Sequence, residues 1–127
     1  MPNQRSRSRR AGRTARRPTG LRSVDRAIAE MVRRIVRQFD PERIVLFGSH
    51  ARGVGKPDSD VDVLVVMRVE GSKRKAAIEV EMALAGVGVP KDVIVATPEE
   101  AAKYRDVAGS LIGSALEEGR VLHERAA

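Results

Sequence analysis

Apolar residues recur at Val24, Ile28, Met31, Ile35 and Phe39, three or four positions apart, with Arg33, Arg34 and Arg37 between them. That spacing predicts an amphipathic helix. Ser23 stands where an N-cap belongs, and Asp40-Pro41 stops the pattern. The period then changes. Residues 43–47, RIVLF, form a short β-branched run that ends at Gly48, and residues 61–67, VDVLVVM, form another, reached through Pro57-Asp58-Ser59. Both read as buried strands. Ser72 caps a predicted helix over 73–85, closed by Gly86, with Ala77, Ile78, Met82 and Ala85 as its apolar face. The turn GVGVP leads to a third strand at 92–96, DVIVA. Thr97-Pro98-Glu99-Glu100 then has the cap, the first-turn proline and the third-position glutamate of a helix start. A last helix turns Ala108, Leu111, Ile112, Ala115 and Leu116 inward and stops at Gly119. Val121-Leu122-His123 predicts a small edge strand.

The predicted order is α-β-(short α)-β-α-β-α-α-β, with the short helix at Ser49–Gly53, and no internal repeat is present. This is an α/β (α+β) arrangement: a small mixed sheet flanked by helices. Strands two and three are joined through a helix and should be parallel. Strands one and two lack such a link, so the chain can reverse between them. Three points then meet at one end of the sheet: Gly48-Ser49, Asp60 with Asp62, and Asp92.

Composition narrows the picture. The chain has 127 residues, the size of one domain. There is no Cys, so neither a disulfide framework nor a thiolate metal site is available. No apolar run approaches the roughly 18 residues of a membrane span, and the N-terminus lacks a secretory apolar core. The expectation is a soluble protein of the cytoplasm. Residues 1–22 hold eight Arg (Arg5, Arg7, Arg9, Arg10, Arg13, Arg16, Arg17, Arg22) and no acid. Without them, 16 basic residues face 17 acidic ones, so the net charge of +7 belongs to this segment. Its composition predicts a disordered, solvated tail before a folded domain at 23–127. The same arginines can make a weak nucleic-acid contact by displacing phosphate counterions, and an organelle-targeting segment would share the composition. With Phe39, Phe47 and Tyr104 the only aromatics, the core must be aliphatic.

The chemistry concentrates where the three points meet. Asp60 and Asp62, at i and i+2 around Val61, share one face of a strand, roughly 6.6 Å apart along it. Two hard oxygen donors suit Mg2+, which prefers carboxylates combined with substrate phosphates. Gly48 ends a strand and can take a positive φ. The exposed N–H groups that follow, with the Ser49 hydroxyl, suit a phosphate. Arg52 and Lys56 can add positive charge. Asp92 opens an apolar strand and must be exposed or liganded. Taken singly these are ordinary turn and edge features. His50 reads as solvent-facing, His123 as an edge-strand residue, Asp58-Ser59 as a turn, and Gly109-x-x-x-Gly113 as a close helix contact.

Together, Gly48-Ser49-His50-Ala51-Arg52-Gly53 and Asp58-Ser59-Asp60-Val61-Asp62 resemble the G-S-x-A-R-G…S-D-x-D signature of the DNA polymerase beta-like nucleotidyltransferase superfamily. The length is similar to its minimal branch. The signature spans Gly48 to Leu64, and the element order extends the likeness over 24–124. The resemblance implies that Asp60, Asp62 and Asp92 hold catalytic Mg2+ and that Gly48 and Ser49 cradle the β and γ phosphates of an NTP, with ATP the expected donor. It leaves Arg52 to assist or simply to pin the loop. Minimal members are typically encoded beside a HEPN-type protein as toxin–antitoxin modules. The implied acceptor is therefore a Tyr hydroxyl of such a partner. A small-molecule hydroxyl and a non-catalytic module that neutralises its partner by contact are the alternatives.

Overall fold

The computed structural model describes residues 19–126, so the predicted tail lies, up to residue 18, outside the described residues. Helix α1 spans Thr19–Phe39, β1 Arg43–Phe47, β2 Val61–Val66, α2 Lys73–Ala83, β3 Lys91–Ala96, α3 Pro98–Tyr104, α4 Leu111–Glu118 and β4 Arg120–Glu124. The strands form one mixed sheet in the order β3-β2-β1-β4. β1 runs antiparallel to β2 and β4, while β2 and β3 are parallel. Both predicted pairings hold, and the fold is the expected mixed α/β arrangement.

Alternation along the strands divides the core in two. Ile44, Leu46, Val61, Val63, Val65, Val93 and Val95 face Val24, Ile28, Met31 and Ile35 of α1 and Ala76, Val80 and Leu84 on and just after α2. The other sheet face carries Val45, Leu64, Val66 and Ala96, packed by Ala115 and flanked by Phe47, Ile94, Ala101, Ile112 and Leu116. β2 lies between two strands and is buried at every position but one, Asp62. A carboxylate in the most covered strand marks the place where apolar packing gives way to chemistry.

Four local expectations change. α1 begins at Thr19, so Ser23 lies within the helix and does not cap it. The extra turn is held from outside: Gly20 packs so closely on Pro57 that an added Cβ would lie 2.8 Å from Pro57 Cγ. α2 buries Ala76, Val80 and Leu84, whereas Ile78 and Met82 of the expected face are 50% and 70% exposed. Two apolar stripes run along this helix at the same spacing, and its links to β2 and β3 decide which one meets the sheet. The expected short helix at 49–53 is a set of turns: the N–H groups of Ala51 and Arg52 both donate to Gly48 O at 3.1 Å. Positive-φ glycines at 48 and 53 bracket it, too close together for a helix to propagate.

The fourth change concerns the last helix, which starts after Ser110, whose Oγ accepts from Gly113 N; Ala108 therefore lies in the linker. Gly109 is outside the helix, and Gly113 packs against the carbonyl of Tyr104 at the end of α3. Thr97 and Glu100 form the expected capping box. Asp40, at φ 46, turns the chain out of α1, its N–H donating to Val36 O at 3.1 Å. Among the described residues no helix is long and apolar enough to cross a membrane.

Candidate active site

Strand register assembles the site. Asp62 lies opposite Phe47 in the antiparallel pair and opposite Asp92 in the parallel pair. Residues paired across neighbouring strands share a sheet face, and the strands lie about 4.8 Å apart. Asp62 and Asp92 are therefore immediate neighbours on one surface. It is the face that α3 and α4 pack, at the sheet end beyond Phe47. Asp60 sits one residue before β2, with the parity of Asp62, and is exposed, as is Asp92, while Asp62 is half-buried.

The phosphate-loop candidate closes onto the same carboxylate. Gly48 follows β1 with φ +77, a conformation that disfavours any side chain. An added Cβ there would overlap Asp62 Oδ2 and lie 3.2 Å from Asp62 Cγ. Glycine is thus needed twice: for the turn, and to let the carboxylate rest against the backbone. Ser49 is half-buried beside it and Arg52 is exposed on the same turn. A turn at 56–59 leads into Asp60, with Ser59 N–H donating to Lys56 O at 2.9 Å and Lys56 N–H to Ser59 Oγ at 2.9 Å.

Burial holds the Asp62 carboxyl above its ordinary value of 3.8. The charges of Asp92 and Asp60 push it further in the same direction, and His50 opposes them. This crowding of negative charge is what a cation would relieve. The donors are all carboxylate oxygens, which fits a hard divalent ion that completes its shell with water and phosphate. The three acids are not a ready-made cage: among the described residues no group of three or more potential ligands is gathered closely enough to hold a metal ion. Asp62 and Asp92 are set by strand register, whereas Asp60 projects from the loop.

Sequence reasoning missed one buried group. His50 is 8% exposed, not solvent-facing. Its Nε2 lies 3.1 Å from Ser59 O, and Gly55 leaves room for its ring. The signal in the sequence was faint: small residues at 53 and 55 that let the loop fold back. Cavity shape would not have found the acids either. A cavity of about 550 Å3 behind the turn is lined by Asp25, Ile28, Val32, His50 and Leu122 among others. One of about 520 Å3 at the start of β1 involves Arg43, Arg105 and Glu117. None of the three acids lines either.

A mixed sheet that brings a Gly-Ser turn and three carboxylates to one end, flanked by helices on both faces, defines the nucleotidyltransferase fold class. The same conclusion comes from the comparisons. Residues 28–122 match the nucleotidyltransferase domain family, and the chain belongs to it. Its fold is similar to the crystal structure of a candidate nucleotidyltransferase from Sulfolobus solfataricus, with a TM-score of 0.61 and 22% identity over 87% of this chain and 91% of that one. No curated protein matches. Nucleotidyl transfer from an NTP is accordingly the general activity of the domain.

Proposed function

We propose that this protein transfers a nucleoside monophosphate, AMP in the first instance, to a hydroxyl on a protein partner, in a Mg2+-dependent reaction. The observation that carries the reading is the pairing of Asp62 with Asp92 across β2 and β3, with the Asp62 carboxylate against Gly48. It supports the reading because it brings the proposed metal ligands, the proposed phosphate turn and the proposed proton acceptor side by side.

The residues divide the work. Asp60 and Asp62, joined by Asp92, would hold Mg2+. Bound there with the nucleotide, the ion supplies neutralisation of the leaving pyrophosphate and acidification of the attacking hydroxyl. The positive-φ turn at Gly48 and Ser49 would offer backbone N–H groups and a hydroxyl to the β and γ phosphates. Arg52, exposed on that turn, adds positive charge within its reach. The acceptor oxygen bonds to the α-phosphorus, the bond to the β-phosphate oxygen breaks, and the hydroxyl proton passes to Asp92. Asp92 suits that step because it is exposed on the strand next to Asp62.

For the acceptor, the resemblance to minimal nucleotidyltransferases favours a Tyr of a HEPN-type protein, with modification silencing a toxin. The described residues form a single sheet with its helices, and in this reading the acceptor hydroxyl is presented by the protein partner. The experiment is transfer of label from α-labelled ATP with Mg2+ to the product of a neighbouring HEPN-type gene. Label on a Tyr of that protein, lost with Asp62→Asn, is the expected result. Label on a small-molecule hydroxyl instead, or neutralisation of the partner without any label, would overturn the protein-acceptor reading.

A further inference from the structure

His50 is the one buried polar or charged residue among the described residues. A polar ring taken out of water is costly unless it is hydrogen-bonded, and here Nε2 lies 3.1 Å from the carbonyl oxygen of Ser59. That oxygen can only accept, so Nε2 carries the proton and donates. We propose that His50 is a positioning residue that fixes Asp60 relative to the Gly48-Ser49 turn. This rests on the reading of Asp60 and Asp62 as the metal-binding acids.

Three features make the contact a strut rather than incidental packing. The first is its span. His50 directly follows Ser49 and Ser59 directly precedes Asp60, so one bond joins the two halves of the site across nine residues. The second is the slot. A Cβ on Gly55 would lie 2.7 Å from both Cε1 and Cγ of the ring, so the loop backbone lies against the imidazole and keeps Nε2 aimed at Ser59. The third is the anchoring of the far side. Ser59 and Lys56 close their turn reciprocally, and Pro57 within it abuts Gly20 of α1. Beyond Asp60 the chain is fixed where Val61 N–H donates to Pro90 O at 2.9 Å. Asp60 itself lies outside the strand ladder, so the His50–Ser59 bond sets its place from the other side. With the residue only 8% exposed, its donor committed to Ser59 O and none of the three acids lining the cavity it borders, His50 acts through Asp60 and not on the nucleotide.

The test compares His50→Phe, which keeps a ring but no donor, with His50→Gln, whose side-chain amide can reach the same carbonyl. Gly55→Ala displaces the ring while leaving the histidine in place. Full-length proteins are assayed for transfer, for Mn2+ binding as a metal probe, and by amide exchange without metal or nucleotide. His50→Phe and Gly55→Ala should each lower kcat by on the order of 10²-fold, the scale of a misplaced reacting group. They should weaken Mn2+ binding, leave KM for the nucleotide within about threefold because the proposed phosphate contacts are at the Gly48-Ser49 turn, and speed exchange at 58–60 but not in β1 or α1. His50→Gln should recover most of kcat and of the protection. Wild-type kcat and Mn2+ affinity in His50→Phe would overturn the proposal. So would equal loss in His50→Gln and His50→Phe with protection falling throughout the core, which would make His50 ordinary packing. Asp60→Asn and Asp62→Asn run beside them: if these transfer like wild type, the site reading itself fails. If only they are inactive while His50→Phe is not, the failure belongs to His50 alone.

Discussion

Replacing Gly48 by Ala tests whether the turn or its contact with Asp62 matters, because the fold supplies a matched control. Gly48 and Gly53 bracket the same turn with φ +77 and +80. An added Cβ at Gly53 meets nothing within 4 Å, whereas one at Gly48 overlaps the Asp62 carboxylate. Both variants share the backbone cost of a side chain in the left-handed region, about 1–2 kcal/mol. For a domain of this size that lowers Tm by about 4–8 °C per kcal/mol. Only Gly48→Ala adds a second effect: the carboxylate must retreat by on the order of 1 Å, enough to cost about 10²-fold in turnover. Thermal unfolding and single-turnover transfer, measured on both, separate the two. The expected pattern is a comparable loss of Tm with transfer lost only in Gly48→Ala. Equal loss of transfer in Gly53→Ala would trace the effect to the backbone and refute the Asp62 argument. So would near-normal transfer in Gly48→Ala.

Asp62→Asn should raise the metal-free stability at neutral pH. The folded carboxyl titrates above 3.8, so wild type binds more protons folded than unfolded and loses stability as pH rises from about 3.8 through the raised value. Urea unfolding across that range should show the gain of Asp62→Asn vanish at the acid end, and a gain that is independent of pH would contradict the assignment. Asp92→Asn should lower single-turnover transfer by on the order of 10²-fold or more while nucleotide affinity, read by calorimetry, falls only a few-fold. Parallel losses in both would make Asp92 a binding group instead. Leu84→Ala should cost about 2–5 kcal/mol in chemical unfolding, whereas Met82→Gln should stay within about 0.5 kcal/mol. The reverse order would restore the other face of α2.

The sheet and its acids were legible because alternation and spacing are local properties. RIVLF and VDVLVVM announce buried strands, and the D-x-D beside Val61 puts two carboxylates on one side. The connections then dictate antiparallel and parallel neighbours. Three misreadings share a different cause, contacts with residues distant in the chain. Val80 with Leu84 and Ile78 with Met82 are equally good stripes until the links of α2 choose between them. Ser23 looks like a cap until Gly20 is seen against Pro57. His50 looks like a turn residue in water, and only the folding back of 55–59 encloses it. Nothing in the identity of His50 announces that its partner is a backbone carbonyl nine residues on.

β3 is an outer strand of the sheet, and this has a consequence for selectivity. If Asp92 serves the acceptor as proposed, its exposure on this edge strand lets the acceptor approach along a rim, where its size is checked less than in a closed cleft. Rejecting the wrong hydroxyl by steric exclusion, the cheapest form of discrimination, is therefore weak at this end of the sheet. Discrimination has to come from attractive contacts and mismatched charges made away from the reacting atoms. Under that reading, selectivity and chemistry would sit on separate surfaces, and substitution could change either without the other.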